Sequence, residues 1–212
     1  MSDAILNSAQ FEKLATELAT IGRFLAEMGY SPATSSNYSA KIDEDHIAIS
    51  RTGVDKYEMN RQDVIVIDRE GQVLAPRHER SSAETLIHTA IYNKIPAAGA
   101  ILHTHSPENT RLSLRFLSEG ALHFEGFEMQ KGLEGISTHE QKITLPILPN
   151  AQDMVAYSKV VEEMLEQNPR IHAFLIAGHG LYTWATNLKS CKRQVETLEF
   201  LFRCKALEMA GV

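Results

Sequence analysis

Two histidines one residue apart, His103 and His105, close a nearly all-apolar run, 98–105. In a β-strand alternate residues point to the same face, so the two imidazoles converge on one point. Two neutral imidazoles a few ångströms apart suit a divalent cation. A third candidate, His179, stands between Gly178 and Gly180, just after the apolar segment Phe174-Leu175-Ile176. Flanking glycines let other backbone approach closely and expose the imidazole. Three histidines with an open fourth position form the layout of a catalytic zinc site rather than a structural one. A His-x-His pair alone is more often structural or surface decoration, so His179 carries much of the weight. A cupin metal site also starts from His-x-His, but it needs an almost entirely β chain, and about half of this one reads helical. His46, His78, His88, His123, His139 and His172 have no spacing that singles them out. His88 falls on a helical pattern and reads as a packed or hydrogen-bonded residue.

The elements that must position these side chains follow from periodicity. Phe11, Leu14, Leu18, Ile21, Leu25 and Met28 recur at steps of three and four, and Gly29 ends that helix. A small polar loop, 32–39, leads to two strand-like runs, 38–42 and 46–50, joined by Asp43-Glu44-Asp45. A loop over 51–55 and a strand over 64–68 come next, and 69–81 reads as loop. A helix is expected from about Ser82 to Lys94 with Leu86, Ile87, Ala90 and Ile91 inward, and Ser81-Ser82-Ala83-Glu84 has the form of a capping box. The strand ending at His105 is followed by a helix over 107–117. No assignment is made over 118–142. Further expectations are a strand at 145–148, a helix over 153–167 stopped by Asn168-Pro169, strands at 173–176 and 181–184, and a last helix over 188–209 with Leu188, Cys191, Val195, Leu198 and Phe202 in one stripe. Helices and strands mix throughout with hairpin-length connections, which predicts helices on both sides of a sheet containing antiparallel pairs.

Composition bounds the rest. The chain has 212 residues, 43% hydrophobic and 23% charged, which excludes a disordered chain. No linker or repeat divides it, so one domain over 1–212 is expected. Lys and Arg number 21 against 27 Asp and Glu, a net charge of −6, which leaves no basic surplus for a nucleic-acid backbone. No run approaches the ~18 apolar residues of a membrane span. The opening Met1-Ser-Asp-Ala-Ile-Leu-Asn-Ser8 lacks the basic-then-apolar pattern of a secretory leader. Cys191 and Cys204 fall on nearly opposite sides of one helix, roughly 20 Å apart, too far for a disulfide. A reducing, cytoplasmic location is expected.

Three segments resemble the class II aldolase/adducin-like family: Arg80-Ser-Ser-Ala-Glu-Thr-Leu-Ile-His88, Ala100-Ile-Leu-His-Thr-His-Ser-Pro107 and Gly178-His-Gly-Leu-Tyr-Thr-Trp184. The resemblance runs from the first helix to the last. It implies a three-layer α/β/α domain around a mixed, largely antiparallel sheet. It also implies one Zn2+ per subunit on His103, His105 and His179, in agreement with the trio read from the residues. A phosphate pocket is implied by Ser36 and Asn37, Thr52 and Gly53, and Ser81 and Ser82. Hydroxyls and backbone N–H groups at a turn and a helix start bind phosphate oxygens, although turn or cap duty would explain each residue singly. The first of these loops reads Ser35-Ser36-Asn37 where the family usually has Gly-Gly-Asn, which leaves its backbone shape open.

Within the family, Phe127-Glu-Met-Gln-Lys-Gly132 resembles the branch that removes water from a ketose phosphate. The implied activity is a zinc-dependent hydro-lyase of methionine salvage, acting on the sugar phosphate 5-methylthioribulose 1-phosphate in a cytoplasmic homotetramer. Glu128 matches that branch's acid/base carboxylate, and Glu84 matches the catalytic glutamate of the related aldolases. Glu128 is expected as the acid/base, with Glu84 as the alternative, and Lys131 as a solvated or interface residue. A sugar-phosphate aldolase or 4-epimerase is the nearest competing activity. A non-catalytic scaffold is the other, since fold alone does not imply activity. The residues of a methylthio pocket cannot be named from the sequence.

Overall fold

A computed structural model describes residues 5–211. Of the opening segment read for a secretory leader, residues 1–4 lie outside that range.

The chain begins with helix α1 (Ala9–Glu27). Ser8 caps it, its hydroxyl accepting from the Phe11 N–H, and Phe11, Ala15, Leu18 and Leu25 form its buried stripe. Among the described residues nine strands follow: β1 (Asn37–Lys41), β2 (Ile47–Ser50), β3 (Val64–Ile67), β4 (Val73–Ala75), β5 (Ala100–Thr104), β6 (Ala121–Phe124), β7 (Ile143–Leu148), β8 (Ala173–Ile176) and β9 (Gly180–Ala185). The helices among and after them are α2 (Thr85–Lys94), α3 (Pro107–Arg115), α4 (Met154–Gln167) and α5 (Leu188–Ala210). The strands form one sheet in the order β4-β3-β2-β1-β5-β9-β8-β7-β6. Among the described residues only β7 and β8 run parallel; the other neighbours are antiparallel. The α/β architecture expected from the sequence, helices on both faces of a mixed and largely antiparallel sheet, is therefore found.

Strand alternation divides the core. Leu102 packs with α1 and α5 on one face, and Ile101 packs with α2 and α4 on the other. α3 joins the first face, with Leu112 against Leu198, Leu201 and Phe202 of α5. Every residue of β5 is buried, as expected of a central strand covered on both sides.

Three local expectations are corrected. The loop 69–81 contains β4, a three-residue edge strand too short to show periodicity. α2 starts at Thr85 rather than Ser82, and Leu86 is only half-buried. The capping box at its start is absent: Glu84 is the cap residue and makes no side-chain capping bond, because its carboxylate is drawn elsewhere. The unassigned middle, 118–142, holds β6 and a short 3-10 turn, Glu128–Gly132. Among the described residues no helix is long and apolar enough to cross a membrane.

Candidate active site

β1, β5 and β9 lie side by side, and their registers place Asn37, His103 and Tyr182 in one row across the sheet. Alternation along β5 turns His103 toward the α2 side and Thr104 toward α5. His105 stands one residue beyond the strand, on the same side as His103. The His179 turn is held by its own N–H donating to the Ile176 carbonyl at 3.0 Å. Gly178 takes φ 64°, and a Cβ on Gly180 would lie 2.1 Å from the Thr104 carbonyl oxygen. Glycine at 180 thus lets the turn close onto β5 and bring the third imidazole to the other two.

The three imidazoles form a tight cluster. Each offers a ring nitrogen within 4.8 Å of the others. The Nδ1–H of His103 donates to the Leu181 carbonyl at 2.8 Å, which leaves its Nε2 lone pair facing the cluster. That Nε2 lies 2.7 Å from His105 Nε2. Burial, reinforced by the neighbouring imidazole His105, pushes His103 well below the usual histidine range. Burial and then His179 push His105 down to about 4. Both rings are therefore neutral near pH 7, the form that ligates a metal. Buried, neutral nitrogens aimed at one point, one of them held by a backbone carbonyl behind it, are a donor set that fits a divalent cation.

Glu84 is the carboxylate of this site. Its Oε1 lies 3.0 Å from His179 Nε2, and its Oε2 lies 3.6 Å from His103 Nε2. Asn37 Nδ2 donates to Oε2 at 2.6 Å. Burial alone would raise the Glu84 carboxyl. The hydrogen bond from His179, the neighbouring His103 imidazole and the Asn37 amide instead hold it well below the usual carboxylate range. Because His103 is itself neutral, the hydrogen bonds carry most of that effect.

A buried chain of hydrogen bonds fixes the Asn37 amide. Tyr92 Oη lies 2.9 Å from Ser39 Oγ, which lies 2.7 Å from His88 Nδ1, and His88 Nε2 bonds Asn37 Oδ1. Burial pushes His88 down to about 3, so the ring is neutral and has one donor and one acceptor nitrogen. An amide oxygen can only accept, so Nε2 carries the hydrogen and Nδ1 accepts from Ser39. The Asn37 NH2 is thereby committed to Glu84. Hydrogen bonding was the expectation for His88; its link to the Glu84 carboxylate was not foreseen.

The small-residue segments 34–37, 51–53 and 82–84 do converge. A hollow of about 170 Å3 is lined by Ser36, Asn37, Arg51, Thr52, Gly53 and Ser82, with Glu84 and His105 as its inner wall. Ser36 takes φ 72°, in the left-handed region, and its hydroxyl is buried without a hydrogen-bond partner among the described residues. Such a strained residue and an unpaired donor are tolerated where a ligand completes the site. Ser81 falls outside this hollow and lines a neighbouring one with Gly71 and Thr85. Arg51 went unnoticed in the sequence; its guanidinium is braced by Asp63, with NH2 to Oδ1 at 2.7 Å. Beyond Glu84 lies a second hollow of about 350 Å3, reached by Asn150, Ala151, Gln152 and Met154.

Glu128 does not join this site within its own chain. It opens the 3-10 turn packed against α5, on the sheet face opposite Glu84, and is exposed beside Lys131 Nζ at 2.7 Å. Within one chain, the residue expected as the acid/base therefore stands apart from the three histidines. Phe127 packs onto the Phe124 and Phe202 cluster and anchors the turn there.

A residue that sequence reading missed lies under the histidines. Glu199 of α5 is almost fully buried. Its Oε1 accepts from Thr104 Oγ1 at 3.0 Å and Asn109 Nδ2 at 2.9 Å, and its Oε2 from Ser106 Oγ at 2.5 Å. Burial pushes its carboxyl up to about 7, and these three donors pull the other way. The clamp grips the chain on both sides of His105. One signal existed: Glu199 falls four residues after Val195 and three before Phe202, on the apolar stripe of α5.

Residues 16–206 match the family described as the Class II Aldolase and Adducin N-terminal domain. Among curated proteins, the chain is 45% identical to a methylthioribulose-1-phosphate dehydratase from Marinobacter nauticus, covering 92% of this chain and 94% of that one. A second protein of that name, from Hahella chejuensis, is 44% identical over 96% of this chain and 97% of its own length. Among solved structures, the L-fuculose-1-phosphate aldolase from Thermus thermophilus superposes with a TM-score of 0.71 at 21% identity, covering 99% of this chain and 97% of that one. Another L-fuculose 1-phosphate aldolase gives a TM-score of 0.76 at 21% identity, over 93% of this chain and 87% of that one. At that identity the structural likeness speaks for the fold.

Proposed function

The chain belongs to the class II aldolase and adducin family, and on that footing we propose that it is a hydro-lyase of methionine salvage, converting 5-methylthioribulose 1-phosphate to 2,3-diketo-5-methylthiopentyl 1-phosphate. The observation that carries the reading is the Glu84 carboxylate facing three imidazoles between two hollows. The near-full-length identity to curated dehydratases selects this substrate over other ketose phosphates.

His103, His105 and His179 would hold the metal, and Zn2+ is the ion we assign, because three histidines with an open position are a catalytic zinc set. When bound, such an ion supplies a Lewis acid beside the substrate ketone. The residues of the chain do the rest. Ser36, Asn37, Thr52, Gly53 and Ser82 receive the phosphate on C1, with Ser81 beside them and Arg51 supplying positive charge. That anchor sets C2 and C3 beside Glu84, which takes the C3 proton α to the ketone. The C4 hydroxyl then leaves as water after receiving a proton. The C3–C4 enol so formed collects a solvent proton at C4 and becomes the second ketone. Asn37, fixed by His88, holds one Glu84 oxygen so that the other faces C3. Positioned proton transfer of this kind supplies about 10²–10⁴-fold in rate.

We assign Glu128 as the second proton carrier, reaching the C4 hydroxyl from a neighbouring copy in a homotetramer. The support is its resemblance to the acid/base carboxylate of the dehydratase branch, together with its exposure on a face away from its own histidines. The location is taken as cytoplasmic. Trapping with an aromatic 1,2-diamine tests the reading. Zinc-loaded protein with 5-methylthioribulose 1-phosphate should yield the quinoxaline of a 1,2-diketone, and chelator-treated protein should not. Formation of an aldehyde fragment instead would assign a retro-aldol reaction.

A further inference from the structure

On the far side of Glu84 lies the hollow of about 350 Å3. It shares Ser82, Glu84 and His105 with the phosphate hollow, so the two form one cleft with the reacting position at its waist. A ketose 1-phosphate anchored at one end and reacting at Glu84 must send C5 and its substituent into the other end. The character of that end is set by few residues. Ala83, Ala151 and Met154 give it apolar walls, and Asn150 and Gln152 bring neutral amides. Among the described residues, no ionisable side chain apart from Glu84 and the histidines at the waist lines it. A second phosphate or a carboxylate would find no countercharge there, whereas an uncharged soft group would find a matching wall.

The wall is also held in place. Ala151 and Met154 pack onto the apolar cluster beneath α4. Met154 is the first residue of that helix, and Asp153 caps it, its Oδ1 accepting from the N–H groups of Val155 at 3.1 Å and Ala156 at 3.0 Å. Methionine's unbranched thioether is polarisable and adapts to an irregular neighbour, which suits contact with another thioether.

We infer that Ala83, Ala151 and Met154 form the subsite for the apolar C5 substituent of the substrate, a methylthio group, and that the 150–154 segment sets specificity for it. This rests on the proposed function for the direction in which the substrate lies.

The test measures binding apart from turnover. Alditol phosphates reduced at C2 have no ketone and cannot be dehydrated. Metal-loaded protein is titrated calorimetrically with 5-methylthioribitol 1-phosphate and with ribitol 1-phosphate. The wild type should favour the methylthio compound by about tenfold or more, the discrimination a small apolar group gains in an apolar pocket. Met154→Ser should lose most of that preference while its affinity for ribitol 1-phosphate stays within about twofold, and Met154→Leu should keep it. Equal binding of the two compounds by the wild type, or a preference that survives in both Met154→Ser and Ala151→Asp, overturns the inference. A clear preference combined with no diketone from the ketose would leave the subsite standing and refute the dehydratase reading instead.

Discussion

Removing the Glu199 carboxylate should destabilise the protein by an amount that depends on pH in a defined direction. In Glu199→Ala, Thr104 Oγ1, Ser106 Oγ and Asn109 Nδ2 lose their acceptor in a place that water does not reach. Each unsatisfied buried donor costs about 1–3 kcal/mol. Asn109 retains a weaker contact to the Thr104 hydroxyl at 3.3 Å, so the two hydroxyls dominate. With the cavity left by the side chain, the loss is roughly 4–6 kcal/mol. Against it stands the cost of keeping a buried carboxylate ionised. The carboxyl titrates at about 7 in the fold against an ordinary 4.5. At 1.36 kcal/mol for each pH unit, that difference is worth roughly 3 kcal/mol. Its sign follows from proton counting: between pH 4.5 and 7 the folded state binds the extra proton, so the wild type loses stability as pH rises through that window. The alanine variant loses none of this. Its deficit should therefore be about 4–6 kcal/mol at pH 4.5–5 and shrink to about 1–3 kcal/mol above pH 7. Urea unfolding at pH 5 and pH 8, followed by the fluorescence of buried Trp184, reads both values. Glu199→Gln keeps one acceptor oxygen and sheds the charge, so it should be within about 1 kcal/mol of the wild type at pH 8. A deficit under 1 kcal/mol at pH 5, or one that grows with pH, would refute the clamp.

Glu84→Gln and Glu128→Gln should each bind metal normally and lose two or more orders of magnitude in kcat, as expected when a proton carrier is removed. Mixed after unfolding and refolding together, the two inactive variants should regain activity, since some sites then draw an intact Glu84 and an intact Glu128 from different copies; full activity of Glu128→Gln alone would remove that residue from the mechanism. His88→Phe keeps the buried ring but frees the Asn37 amide to turn its oxygen toward Glu84, so kcat should fall about tenfold or more with little change in KM, while an unaltered kcat would show that the amide needs no such anchor. Burial pushes Lys56 down to about 8 from 10.5, with Asp55 and Asp63 pulling it back, so the buried cation costs stability that is fully felt below pH 8 and relieved as pH rises to 10.5. Lys56→Met should therefore stabilise the fold at pH 7 by roughly 1–3 kcal/mol and not above pH 10.5, and thermal melts at both pH values check this.

What could be read from the sequence was local. His103 and His105 converge because strand alternation is a two-residue rule, and the glycines around His179 announce a close approach wherever the turn lands. The long helices and β5 have stripes or apolar runs that stand alone. The Glu84 carboxylate was harder. Ser81-Ser82-Ala83-Glu84 has the form of a helix cap, and only the imidazoles 19 and 95 residues further on outcompete the backbone N–H groups for it. Glu199 was missed for the same reason, since its three partners lie 90 to 95 residues away. β4 spans only three residues between Gly71 and Pro76, too few for any periodicity. A short motif marks Glu128 as an acid/base carboxylate, and a motif does not say from which side of the sheet, or from which copy of the chain, a side chain arrives.

The central claim is that the cluster removes the C3 proton and expels the C4 hydroxyl without breaking the carbon chain. The most direct measurement is mass and NMR analysis of the product formed by zinc-loaded protein from 5-methylthioribulose 1-phosphate in D2O. One product should appear, lighter than the substrate by one water, holding every carbon and the phosphate, with one solvent deuterium at C4. Two shorter fragments, or an intact sugar phosphate with deuterium at C3 and no water lost, would contradict the account.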